Sequence, residues 1–161
     1  MHHGPLGTKS LSTQVNVGYA ERGGSRYSDI VMMRSRVLFI SPRSADAALL
    51  GRMLEGTSVA FDYAVSLLEA RTRLLAQRYR AVLTESILPD GCWADVLELV
   101  RAVGGEADVI VTRPVVDARF WAEVLNLGCY DMLAQPFCEP EVRHVLSNAC
   151  TRMAPPRAHA A

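Results

Sequence analysis

Between residues 36 and 150 the sequence alternates, five times over, a short apolar run with a longer amphipathic one. The short runs are RVLFI (36–40), SVAFDYA (58–64), AVLT (81–84), DVIVT (108–112) and DMLA (131–134). Several are apolar without strict alternation, the pattern of strands covered on both faces. Each is followed by apolar residues at helical spacing: Ala47, Leu50 and Leu54; Leu68 and Leu75; Trp93, Val96, Leu97 and Val100; Phe120, Val124 and Leu127; Val142, Val145, Leu146 and Ala149. Ser44 is a candidate N-cap for the first helix. Ser66 and Glu69 have the spacing of a capping box for the second, and Gly128 is placed to end the fourth. Five strand–helix units in succession predict the α/β class: one five-stranded parallel sheet with helices on both faces.

Composition narrows the function classes. Half of the 161 residues are hydrophobic and 21% are charged, ordinary for a soluble globular domain. The folded part is expected over residues 35–151. Residues 1–34, rich in Gly, Ser, Thr and Asn, read as a flexible arm, and 152–161 as a flexible tail. No apolar run is long enough to cross a bilayer, and the N-terminus lacks a secretory h-region, so no membrane contact and a cytoplasmic setting are expected. Residues 36–150 hold 11 arginines against 15 acidic residues, a net charge of −4, which leaves no footprint for nucleic acid. Cys92, Cys129, Cys138 and Cys150 form no C-x-x-C pair and the histidines are scattered, so reduced thiols and no metal site are expected. Nothing basic flanks the cysteines to activate a thiol for redox sensing. The glycine-free loop SPRSAD after the first strand argues against a nucleotide or flavin phosphate cradle.

In doubly wound α/β sheets, sites form at the carboxyl ends of the strands. The residues so placed are Ser41-Pro42, Glu85, Thr112 and Gln135-Pro136. Glu85, in TESILPDG, is the one carboxylate among them, and reads either as the centre of a site or as a solvated loop acid.

The runs VLFISPRSADAALL, AVLTESILPDG, VIVT and LGCYDMLAQPF resemble, in order and spacing, the receiver domain of bacterial two-component response regulators. The most specific piece is GCYDMLAQPF, where receivers carry Gly-Ala-x-Asp-Tyr-Leu-x-Lys-Pro-Phe. ESILPDG is next, resembling the phosphoacceptor Asp followed by x-x-x-Pro and a Gly-containing loop. The resemblance implies the (βα)5 flavodoxin-like fold with strand order 2-1-3-4-5. It places the Mg²⁺-holding acidic pair at Ser41 and Pro42, and the phosphoacceptor at Glu85. It places the phosphate-sensing hydroxyl at Thr112, the aromatic switch at Met132, and the sensing lysine at Gln135, followed by Pro136 in a bond expected to be cis.

Those replacements carry physical consequences. Mg²⁺ demands oxygen ligands and is usually anchored by one or two carboxylates. One carboxylate and a serine hydroxyl are a poor cage, so no cofactor is expected. Phosphoryl transfer rests on cations neutralising developing charge, and both the metal ligands and the lysine are missing. The chain is therefore expected to be no enzyme and no efficient phosphoacceptor. The resemblance points to a stand-alone protein-interaction module of phosphorelay signalling. Glu85 would either mimic a phosphorylated Asp in part, accepting from Thr112 with Arg43 or Arg113 as counter-charge, or remain as a solvated relic. The expected partner is a sensor kinase, a downstream signalling protein or a second copy. Contact would run through the face of the fourth helix, fifth strand and fifth helix, with Trp121 and Leu125 as candidate anchors. Trp93 is expected in the core. Two alternatives stand beside this: a receiver phosphorylated conventionally or unconventionally, and a small-molecule-binding flavodoxin-like domain using Ser41, Glu85 and Thr112.

Overall fold

The computed structural model describes residues 36–103 and 105–151. The expected arm and tail lie outside the described residues. In chain order the elements are β1 (Arg36–Ile40), α1 (Ser44–Met53), β2 (Ala60–Ala64), α2 (Leu67–Ala76), β3 (Ala81–Glu85), β4 (Ile87–Leu88), β5 (Gly91–Cys92), α3 (Trp93–Ala102), β6 (Asp108–Arg113), α4 (Ala118–Asn126), β7 (Asp131–Ala134) and α5 (Glu139–Thr151). Five strands form one parallel sheet in the order β2-β1-β3-β6-β7. This is the expected 2-1-3-4-5 order, with the small antiparallel β4–β5 pair added after β3.

The sheet is covered on both faces because the side chains of its inner strands are apolar in both directions. Val37, Phe39, Leu83, Ile110 and Leu133 pack on one side with Leu50 of α1 and Val142 and Leu146 of α5. Leu38, Ile40, Val82, Val109 and Val111 pack on the other with Ala70 of α2, Val96 and Val100 of α3 and Val124 of α4. Each fully buried Leu, Ile or Val contributes on the order of 1.5–3 kcal/mol. Trp93 lies in this second layer as expected, edge-on to Phe120 with ring centroids 6.0 Å apart.

Three local expectations are corrected. Ser44 lies inside α1; the N-cap is Arg43, whose side chain makes no capping bond. Ser41 takes up part of that role, its Oγ accepting from the Arg43 N–H at 3.0 Å. Ser66 does cap α2, accepting from Glu69 N at 3.2 Å, but the Glu69 carboxylate reaches Val65 N rather than the N-cap. The core-facing stripe of α2 is Leu67, Ala70 and Leu74. Leu68 and Leu75 share a side, as their seven-residue spacing demands, but it is the outer one: they are 71% and 66% exposed.

Gly128 ends α4 as expected, at φ +105°, while Leu127 is the C-cap and exposed. Arg101 donates to the Leu127 carbonyl at 2.7 Å, and a Cβ on Gly128 would stand 2.6 Å from that guanidinium. The left-handed backbone favours glycine there, while the guanidinium, at the end of a flexible side chain, can give way to a Cβ.

Candidate functional site at the carboxyl ends of the strands

Parallel pairing brings the ends of β1, β3, β6 and β7 to one edge. Glu85 and Thr112 are register partners, so their side chains leave the sheet on the same face. Ser41 follows β1 directly, and Gln135 follows β7. Ser41 and Thr112 are fully buried, and Glu85 is only 8% exposed. Glu85 is therefore no solvated loop acid.

The Ser41 hydroxyl donates to Glu85 Oε1 at 2.7 Å. Gln135 Nε2 approaches the same oxygen at 3.5 Å, the long limit for such a bond. Thr84 Oγ1 donates to the Glu85 carbonyl at 2.9 Å and so ties down its backbone. Ser41 is fully engaged: besides these contacts its carbonyl accepts from the Tyr63 hydroxyl at 2.6 Å. Burial is the main reason the Tyr63 phenol is pushed above its ordinary range, with the carboxylates of Glu69, Glu85 and Asp46 adding to it.

Other expected members take different places. Thr112 Oγ1 is buried with no hydrogen-bond partner among the described residues, so the expected Thr112–Glu85 bond is absent and Ser41 is the donor instead. Neither arginine supplies the counter-charge. Arg113 lies over the Phe120 ring, 4.1 Å from its centroid, and no ion pair among the described residues involves Arg43 or Glu85. Pro42 is exposed beside the site. Met132 is buried in the core layer shared with Trp93 and Val124, away from solvent. The Gln135–Pro136 bond is cis, as expected. On α4, Trp121 is 47% exposed and Leu125 half-buried.

Two contributors escaped the sequence reading. Tyr63 stands at the end of edge strand β2, and its polar tip on an aromatic body was the available signal. Asp90, in the Gly-containing loop of ESILPDG, accepts from Leu67 N at 2.8 Å and Leu68 N at 3.0 Å, capping α2 from a distance. The Leu67 bond is the chief cause that lowers the Asp90 carboxyl below its usual range, against a smaller opposing effect of burial.

Glu85 ends β3, its Oε1 accepts from Ser41, and the Ser41 carbonyl accepts from Tyr63. Among the described residues no group of three Asp, Glu, His or Cys is arranged to hold a metal ion.

Solved structures share this fold. A two-component response regulator from Clostridium difficile is 22% identical, over 70% of this chain and 96% of that one, with a TM-score of 0.61. The receiver domain of the Francisella response regulator 1452 is 18% identical, over 72% and 96%, with a TM-score of 0.66. The beryllofluoride-activated NtrC4 receiver domain dimer is 20% identical, over 71% and 95%, also at 0.66. This is a receiver fold. No protein-family model and no curated protein sequence matches the chain. The site of Ser41, Glu85, Thr112 and Gln135 thus lies at the carboxyl edge of a receiver fold, where open α/β sheets place their ligands. No helix among the described residues is long and apolar enough to cross a membrane.

Proposed function

We propose that this receiver fold acts in bacterial two-component signal transduction as a protein-interaction module whose phosphorylation site is occupied by its own side chains. The observation that carries this reading is the 2.7 Å bond from Ser41 to the buried Glu85 carboxyl. A phosphorylatable carboxylate must present a free oxygen to the incoming phosphorus, with cations positioned around it. Here Oε1 is held by Ser41, and the places of the acidic pair and the lysine are taken by Ser41-Pro42 and Gln135, none of which brings a carboxylate or a cation. The bond also ties the end of β1 to the end of β3, which favours a single conformation of the loops above them.

Receiver domains signal through contact rather than catalysis, and an enzymatic role is not part of this reading. The partner is a sensor kinase, a downstream signalling protein or a second copy, in the cytoplasm. The face of α4, β7 and α5 is assigned to that contact because Trp121, an amphipathic aromatic suited to anchoring an interface, is half-exposed on it. The NtrC4 receiver domain, solved as a dimer, offers a precedent for self-association of this fold.

Incubation with acetyl phosphate and Mg²⁺, followed by intact-mass measurement, tests the site. The expected result is no gain of a phosphoryl group. Stoichiometric phosphorylation that is lost in Glu85→Gln would overturn the proposal in favour of a working phosphoacceptor.

A further inference from the structure

Helix α2 turns Ala70, with Leu67 and Leu74 beside it, toward the core. Its outer side carries Leu68 and Leu75, both exposed and about 10 Å apart along the helix axis. Single exposed leucines are ordinary on a protein surface. Two on one side of one helix, two turns apart, are the i and i+7 anchors with which one helix meets another. Between them stands Arg71, exposed, and Arg78 follows just beyond the end of the helix, exposed as well. Neither arginine makes an ion pair among the described residues. No acidic residue of α2 is exposed: Glu69 is partly buried, accepts from Val65 N and pairs with Arg73.

We propose that this face docks an amphipathic helix of another protein, one whose leucine-type stripe is flanked by acidic side chains. The apolar stripe covers Leu68 and Leu75, and the carboxylates meet Arg71 and Arg78. Charge selects this occupant. In a two-fold pairing of α2 with a second copy, Arg71, midway between the leucines, faces its own counterpart, and like charges set against each other are unfavourable. An anionic membrane also attracts arginines, but an interfacial helix buries a whole apolar face in the lipid. Here the broad apolar side of α2 is packed on the sheet, and Leu68 and Leu75 are its exposed large apolar residues. The N-terminus of α2 is held by Asp90, in the loop that follows Glu85, so an occupant of this face bears on the edge where the candidate site lies. The inference goes beyond the signalling reading. It adds a face separate from that of α4, β7 and α5, and stands whether or not Glu85 accepts a phosphoryl group.

The test is an NMR titration of the ¹⁵N-labelled full chain with two synthetic amphipathic helices of the same leucine pattern, one flanked by glutamates and the other by lysines. The glutamate peptide should give saturable amide shifts centred on Leu68, Arg71 and Leu75, with affinity about tenfold or more above the lysine peptide. Leu68→Ala/Leu75→Ala should weaken that binding about tenfold or more, and Arg71→Glu should abolish or reverse the preference between the peptides. All three side chains are exposed, so the variants are expected to keep the fold. Absence of saturable shifts with the glutamate peptide, shifts centred on Trp121 instead, or equal affinity for the two peptides would overturn the proposal. So would binding to phosphatidylglycerol vesicles that is stronger than to the peptide and lost in the double variant, which would make the face a membrane contact. Self-association of the wild type that is lost in the double variant would overturn it too, in favour of an interface between copies. Should the double variant lose its folded spectrum, the Arg71→Glu comparison decides.

Discussion

Ser41 and Glu85, 44 residues apart in sequence, are joined by a buried hydrogen bond of 2.7 Å that links the ends of β1 and β3. Removing the hydroxyl leaves Glu85 Oε1 with only the long Gln135 contact. Ser41→Ala is therefore expected to destabilise the domain by about 1–3 kcal/mol, the range for a buried polar group stripped of its partner. Urea unfolding checks this, and a double-mutant cycle with Glu85→Gln isolates the pair. A coupling of zero would mean that the bond holds nothing together.

Asp90 caps α2 from another loop, and its lowered carboxyl pKa makes the contribution pH-dependent. The folded pKa lies below the unfolded value of about 3.9. The stabilisation is thus fully present above that unfolded value and lost as pH falls through the folded one. Asp90→Ala should lower Tm at pH 7, and the gap from wild type should close as the pH is brought below about 4. A gap that stays constant down to acid pH would show that the charge on Asp90 is irrelevant to the cap.

The thiols should divide by burial. Cys129 and Cys150 are buried, and their pKa values are pushed up to about 11, chiefly by desolvation. Cys138 is exposed. Because the thiolate is the reacting species, iodoacetamide at about pH 8 should label Cys138 first. Cys129 and Cys150 should react only after unfolding, as read by peptide mass mapping. Rapid native labelling of Cys150 would place α5 in an open state that the packed core does not allow.

Leu50 and Leu68 look alike in a hydrophobicity profile but stand on opposite sides of the boundary between core and solvent. Leu50 is fully buried between α1 and the sheet, so Leu50→Ala should destabilise by about 2–5 kcal/mol. Leu68 points outward, and Leu68→Ala should fall within about 0.5 kcal/mol of wild type. Denaturant midpoints measured side by side check the contrast.

Much of the architecture was legible in the chain because it depends on local periodicity. The runs RVLFI, DVIVT and DMLA became strands within one residue of their expected bounds, and the stripes of α3 and α5 face the core as their spacing indicated. The cis Gln135–Pro136 bond followed from the resemblance around GCYDMLAQPF. The second helix misled because two faces of LLEARTRLLA carry leucines, and only docking on the sheet selects Leu67, Ala70 and Leu74 over Leu68 and Leu75. At the site, strand ends could be predicted but partners could not. Whether Ser41 or Thr112 donates to Glu85 depends on angstrom-scale placement of side chains from different strands. The same holds for Asp90 reaching the first turn of α2. Sequence alone determined which segments are strands and helices, because these follow from residue type and spacing. Tertiary structure decided which polar atoms meet, because hydrogen bonds act over about 3 Å between residues dozens of positions apart.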